Sequence, residues 1–545
     1  MYKEVKDTTP LFASKSYLII DDFQGMRTMM REMLRTFGGK NIDTATNAAE
    51  AIPLMEKNRY DVVLCDYNLG SGKNGLQILE EVKHRNLIGL ATAWIIITAE
   101  KTSDLVFGAA EHMPDDYIIK PVNESTMKGR LEKVLAKKEV LVNVEKAVRA
   151  KHHPLTVALC DKLLASTQTN TVELLRIKTS TLMTMGQHDQ AEQVFNQILA
   201  KRDIPWAKTG LGKVAFLKGD MERAQQLFNE VIRDNPAYLE AHDWLVKTHE
   251  SMGNLDEAQN VLARSVELSP TSVLRQRNLG EMAQKRGDLE TAANAFRRTI
   301  KLGEHSIHKA PSTYLNLARV CSDKGTPAEA LQVLKNVTQE FEGAEIRLHA
   351  KVMEGSVYNK SGDHINSQKM SKELAAITSS HNTNLPPELM LEATQLFLAT
   401  GNKEAAGNMA KSLVKNNHEN AELLTQVSEL YNKAGMHDIG DELVNKSREE
   451  VIESNNRAVV MAKEGKLEEA IQLLREARVL LPNNKRIMIN LANVSVLSMR
   501  QNGMNDELFK IAKDCMMRVA AIDPKEKWPA QIKAALDALA PQGNV

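Results

Sequence analysis

The chain has 545 residues, too many for one ordinary core and enough for several domains or for one domain joined to a repeat array. Lysine plus arginine and aspartate plus glutamate both number 70, so there is no net basic field to hold nucleic acid or an anionic membrane surface. Hydrophobic residues at 43% and charged residues at 26% fit a globular protein, while aromatics at only 4% favour close-packed small helices over aromatic-lined pockets.

The first ten residues, Met1 to Pro10, are polar and lack the apolar stretch of a signal peptide. No later run approaches the roughly eighteen apolar residues of a membrane span. Cys65, Cys160, Cys321 and Cys515 have neither disulfide-framework nor metal-ligand spacing and read as buried thiols. A cytoplasmic protein is expected.

Residues 15–138 alternate short β-type runs with amphipathic helices. Tyr17 to Ile20, a weaker run near Ile42 to Ala45, Val62 to Cys65, Trp94 to Ile97 and Tyr117 to Ile119 are apolar on both faces, as a buried parallel sheet requires. Helices are predicted between them at about Met26 to Phe37, Ala48 to Lys57, Gly75 to His84 and Glu124 to Lys137. This order gives an α/β doubly wound five-stranded parallel sheet, with its site at the carboxyl ends of the strands. Four polar positions follow strand ends: Asp21-Asp22, Asp66, Thr98 and Lys120. Three carboxylates converging at one sheet edge repel one another unless a divalent cation lies among them, and Mg²⁺ suits an all-oxygen donor set. A carboxylate held there can attack a phosphoryl group while a hydroxyl and an ammonium balance the developing charge.

The segments YLIIDDF, VVLCDYN, IIITAE and YIIKPV occur in that order. With them, residues 15–138 resemble the receiver domain of two-component signalling, close to the chemotaxis type. The flavodoxin-like fold follows from that resemblance. It also implies that Asp66 accepts a phosphoryl group from a histidine kinase. Asp22 is then a direct Mg²⁺ ligand, Asp21 a partly water-mediated one, and the backbone carbonyl of Asn68 the remaining protein ligand. Thr98 and Lys120 contact the phosphoryl group, Tyr117 is the aromatic switch, and Pro121 follows the lysine where the family usually has a cis peptide. Asn68 and Glu100, two residues after Asp66 and Thr98, correspond to positions that tune dephosphorylation, and their polar character implies a short-lived phosphoryl group. The loop Leu69 to Gly75 departs from the family by replacing a Met-Pro segment and is one residue longer than in chemotaxis receivers.

After residue 138 the strand-like runs stop and helical periodicity continues. A glycine followed five residues later by a small residue recurs at Gly186, Gly219, Gly253 and Gly287, spaced 33, 34 and 34, then at Gly325, Gly362, Gly401, Gly435 and Gly465, spaced 30 to 39. The small partners are Ala191, Ala224, Ala258, Ala292, Ala330, Ser367, Ala406, Gly440 and Ala470. A degenerate first turn fits at His153 with Ala158. Such a hairpin needs a residue tolerant of positive φ at its turn and a small residue where its helices cross. A second small residue seven before the turn (Gly212, Gly280, Ala318, Gly355, Ala458) and a large apolar one nine after it (Phe195, Phe228, Leu262, Phe296, Leu334, Leu474) complete the pattern.

The period, with GDMERA, GNLDEA and GKLEEA as its best copies, resembles tetratricopeptide repeats. This resemblance implies a helical solenoid whose concave face, made by the first helix of each pair, binds a protein. The expected layout is a tail over 1–14, a receiver over 15–138, repeats over 139–485, irregular between Gly325 and Gly435, and a degenerate last repeat with a capping helix over 486–545. The last receiver helix, from about Glu124, is expected to run on through Ala136-Lys137-Lys138-Glu139 into the repeats. No Walker-type phosphate loop (GxxxxGKS/T), zinc-protease spacing or basic recognition helix occurs.

The resulting expectation is a signalling adaptor rather than an enzyme. Its phosphodonor is a histidine kinase. Its repeats hold an unidentified target protein, another regulator or an enzyme of the same pathway, and it has no nucleic-acid or membrane partner. Two further readings are a phosphate sink that drains a kinase, and a phosphorylation-independent scaffold or homodimer.

Overall fold

The computed structural model describes residues 9–99, 113–166, 170–380, 385–524 and 526–539. A helical turn, α1 (Thr9–Ala13), precedes β1 (Ser16–Ile20), α2 (Gln24–Thr36), β2 (Asn41–Ala45), α3 (Ala48–Lys57), β3 (Val62–Asp66), α4 (Gly75–His84), β4 (Ala93–Thr98), β5 (Asp116–Ile119) and α5 (Glu124–Glu139). All strand pairs are parallel, in the order β2-β1-β3-β4-β5. The chain therefore reverses its direction of winding at β1 and β3, and a crevice opens at their carboxyl ends.

Alternate side chains explain why both sheet faces are apolar. Tyr17, Ile19, Leu64 and Ile95 pack with Met30 and Leu34 of α2 and with Met127 and Leu131 of α5. Leu18, Ile20, Val63 and Ile96 pack on the other face with Ala51 and Met55 of α3 and with Leu79 and Val82 of α4. Full burial of each large apolar side chain contributes about 1.5–3 kcal/mol, so both helical layers are fixed by the sheet they cover. α4 starts with a reciprocal cap: Asn74 Oδ1 accepts the Gln77 N–H (2.9 Å) and Gln77 Oε1 accepts the Asn74 N–H (3.0 Å).

The chain divides between Asn316 and Leu317 into two compact units. The first contains the sheet and the early repeats. Helix α5 does not run on unbroken: it ends at Glu139, Val140 and Leu141 form a turn, and α6 (Val142–Arg149) begins. The first hairpin turn also differs from expectation. Its left-handed residue is Lys151, at φ +52°, whereas His153 opens the next helix, α7 (His153–Ser166). His152 Nδ1 accepts the Leu155 N–H (3.2 Å) and so caps that helix.

The nine repeat glycines from Gly186 to Gly465 all have φ between +71° and +85°, the region that a Cβ disfavours. The second small position has an equally direct reason. A Cβ on Gly212 would lie 2.6 Å from the ring of Phe228, and one on Gly280 would lie 2.6 Å from the ring of Phe296. The phenyl ring fills the space that the missing side chain leaves on the facing helix.

In the second unit the same rule joins Gly355 to Leu396, whose Cδ2 would be 2.6 Å from an added Cβ. Irregularity takes a definite form between Gly435 and Gly465, where one 27-residue helix, His437–Lys463, replaces two helices and their connection. Helices Lys485–Asn502 and Asp506–Ile522 then share a core with Trp528–Leu539, through Leu491, Val519, Ile532 and Leu536. No helix among the described residues is long and apolar enough to cross a membrane.

Candidate functional site

The site forms where β1, β3, β4 and β5 end. Parallel pairing sets the register: Asp66 lies opposite Ile97, and Thr98 lies opposite Ile119, next to Lys120. Asp21, immediately after β1, is fully buried, Asp66 is 6% exposed, and Asp22 is exposed at the pocket mouth. One carboxylate oxygen from each of Asp21, Asp22 and Asp66 lies within 4.8 Å of the other two. Lys120 Nζ reaches into the same space, 2.7 Å from Asp66 Oδ2 and 3.4 Å from Asp21 Oδ2.

The backbone holds this cluster closed. Tyr67 donates its N–H to the Ile97 carbonyl (2.8 Å), Gly75 to the Tyr67 carbonyl (2.9 Å), and Lys120 to the Thr98 carbonyl (2.7 Å). Thr98 is 4% exposed, beside Lys120. The Lys120–Pro121 peptide is cis. Asn68 is exposed on the following loop, where its Oδ1 accepts the Gly70 N–H (3.2 Å). Tyr117 is half-buried on β5, and among the described residues its hydroxyl has no hydrogen-bond partner. Burial, helped by the charge of Tyr67, pushes that phenol up to about 12. Glu100 lies outside the described residues.

Electrostatics follow from the crowding. Burial raises the Asp21 carboxyl above the usual carboxylate range; the Phe23 N–H and Lys120 oppose this, and the Asp66 charge adds to it. Burial pulls Lys120 down, but its hydrogen bond to Asp66 and the charges of Asp66 and Asp21 outweigh that and hold the ammonium above its ordinary value. The donor set is all oxygen, rich in negative charge and partly open at Asp22. It fits a hard divalent cation and offers no sulfur or imidazole to a softer metal.

Sequence reasoning passed over three supports of this pocket. Arg27 donates to the Asp21 carbonyl (2.6 Å), and the Phe23 N–H to Asp21 Oδ1 (2.9 Å). Gly75 matters more: a Cβ there would stand 2.3 Å from the Asp66 carbonyl oxygen and 3.0 Å from Cys65 Sγ. In the sequence it marks only the end of the loop after Asp66 and the start of a helix. The signal available was a glycine at the first helical position after the loop that follows Asp66.

A 2-1-3-4-5 parallel sheet with acidic groups, a threonine and a lysine at its carboxyl edge defines a phosphorelay receiver. The family model of the response regulator receiver domain matches residues 17–132, and two tetratricopeptide repeat models match residues 180–238 and 215–279. Chemotaxis protein CheY-3 of Vibrio cholerae serotype O1 is 32% identical over 123 residues, covering 22% of this chain and 88% of that protein. Chemotaxis protein CheY of Pseudomonas aeruginosa is 28% identical over 117 residues, 22% of this chain and 93% of that protein. The solved structure of Vibrio cholerae CheY4 is 24% identical and covers 22% of this chain and 98% of its own, with a TM-score of 0.21. The chain belongs to the CheY family of response regulators through its N-terminal receiver domain, which is followed by tetratricopeptide repeats.

Proposed function

We propose that the chain is a phosphorylation-controlled adaptor, with Asp66 as phosphoacceptor and the repeats as its protein-binding output. A carboxylate oxygen of Asp66 attacks the phosphorus of a kinase phosphohistidine. The P–N bond breaks, and its electron pair leaves with the imidazole, which takes up a proton. Asp21, Asp22 and Asp66, with the Asn68 carbonyl, would hold Mg²⁺. When bound, that ion supplies positive charge for the phosphoryl oxygens.

Lys120 and Thr98 supply the chain's own share: an ammonium already against Asp66 and a hydroxyl at the adjoining strand end. The transferred group then draws Thr98 and Lys120 toward itself. Tyr117, whose hydroxyl is uncommitted among the described residues, changes its packing in response. Asn68 and Glu100 set how fast water removes the phosphoryl group.

The observation that carries this reading is the Lys120 ammonium 2.7 Å from Asp66 inside the ring of three carboxylates. The test is incubation of the full chain with acetyl phosphate and Mg²⁺, read by intact-protein mass. The parent gains one hydroxylamine-labile phosphoryl group and Asp66→Asn gains none. Undiminished labelling of Asp66→Asn would refute the assignment. Target binding is read separately, with beryllofluoride as a phosphoryl mimic.

A further inference from the structure

The first departure from the 33–34-residue period falls in a specific place. Gly287 and Gly325 are 38 residues apart instead of 34. The extra length lies in a single connection. Residues 303–310 join helix Leu289–Leu302 to helix Pro311–Asp323 with eight residues, whereas the two preceding equivalents, 235–238 and 269–272, have four each.

This long connection reaches the receiver. One carboxylate oxygen of Glu80, on α4, accepts from Ser306 Oγ (3.2 Å), and the other faces His308 Nε2 (3.3 Å). The His84 ring stands edge-on to the His308 ring, with centroids 5.6 Å apart. Ser306 Oγ also accepts the His308 N–H (3.1 Å), which fixes the loop's shape.

On its other side the receiver is attached differently. Leu90 packs against an apolar cluster of Leu141, Val144, Cys160, Leu174 and Ile177. The Ala91 N–H donates to Glu145 (2.6 Å), and Asn170 Nδ2 donates to the Lys137 carbonyl (3.1 Å). Between these two attachments lies a cleft of about 1120 Å³, walled by Tyr67 and Gln77 of the receiver and by Tyr238, Arg275 and Lys285 of the repeats. Tyr67 directly follows Asp66.

The two attachments are unequal. The first is an apolar core; the second is a few polar contacts between side chains that keep 18% of their surface exposed at Glu80 and His308, and these groups exchange their bonds for water when they separate, so it parts first. We infer that the first unit is a latched clamp. The receiver and the concave face of the early repeats are its jaws, and the pairing of Glu80 with Ser306 and His308 is its closure. A protein partner gains the whole concave face only when that closure parts. The inference rests on the reading of the repeats as the protein-binding output.

The test is a distance measurement on the full chain. All four native cysteines are buried, so spin labels go to cysteines introduced at two exposed positions, Lys57→Cys and Glu304→Cys. Pulsed electron paramagnetic resonance should give one narrow, short distance. Glu80→Lys and, separately, His308→Glu should shift it to longer and broader values with circular dichroism unchanged. The charge-swapped pair Glu80→Lys with His308→Glu should restore the short distance. An unmoved distance in both single variants, or a swapped pair that stays open, overturns the latch. Opening by Glu80→Lys without opening by beryllofluoride supports the latch and counts instead against phosphorylation as its trigger.

Discussion

Gly75 offers a quantitative test of how tightly the phosphoacceptor is held. Replacing it with alanine places a Cβ 2.3 Å from the Asp66 carbonyl oxygen, so the backbones of α4 and β3 must separate by about 1 Å to reach ordinary contact. Neither group is the far end of a flexible side chain, and overpacking of this kind costs about 1–3 kcal/mol. A displacement of about 1 Å at a reacting group can slow its reaction by about 10²-fold. Gly129 is the control: it lies within α5, and an added Cβ would meet nothing within 4 Å. There alanine should be neutral or should stabilise by about 0.5–1 kcal/mol through the helix backbone alone. The assay is the initial rate of acetyl-phosphate labelling with Mg²⁺, with receiver unfolding followed in parallel. Gly75→Ala should lower both rate and stability, and Gly129→Ala neither. Labelling of Gly75→Ala at the parent rate would refute the argument that α4 sets the position of Asp66.

Asp21 has a folded-state pKa raised chiefly by burial, so the native state holds its proton more tightly than the unfolded chain. Stability is then lost as pH rises from the unfolded to the folded pKa, and Asp21→Asn should raise the melting temperature of the metal-free protein at neutral pH while weakening Mg²⁺ binding; a lower melting temperature would count against this. His242 has its pKa lowered, first by burial, and its Nε2 lies 2.8 Å from the Pro236 carbonyl. Its contribution is full above about pH 6.5 and is lost as pH falls from there through the depressed folded pKa. One repeat later Gln276 Nε2 makes the same bond to Pro270 (3.2 Å), so His242→Gln should keep neutral-pH stability and flatten the acid limb of a pH melt. Gly212→Ala should destabilise its hairpin by about 1–3 kcal/mol, and adding Phe228→Leu should recover part of that loss, measured as a coupling energy in a double-mutant cycle.

The receiver was legible because its chemistry is written at strand ends. Apolar runs on both faces imply a parallel sheet, and parallel order alone brings Asp21, Asp66, Thr98 and Lys120 to one edge. The repeat turns were legible for a similarly local reason, since positive φ restricts the residue wherever it occurs. Local rules failed where two segments compete for one stretch of chain. The 27-residue helix His437–Lys463 contains no proline to stop it, so the expected pair fuses across Ser454-Asn455-Asn456. Lys151, not His153, takes the first left-handed turn, because His152 is spent on capping the helix that follows.

By itself the sequence determined the sheet, its acidic edge and the repeat period, because each depends on side-chain type at a fixed spacing. Tertiary structure alone decided that Gly75 bears on Asp66 and that the four extra residues after Gly287 carry Ser306 and His308 to Glu80. Glu80 and Ser306 are 226 residues apart, and no local propensity records a contact between segments so distant in sequence.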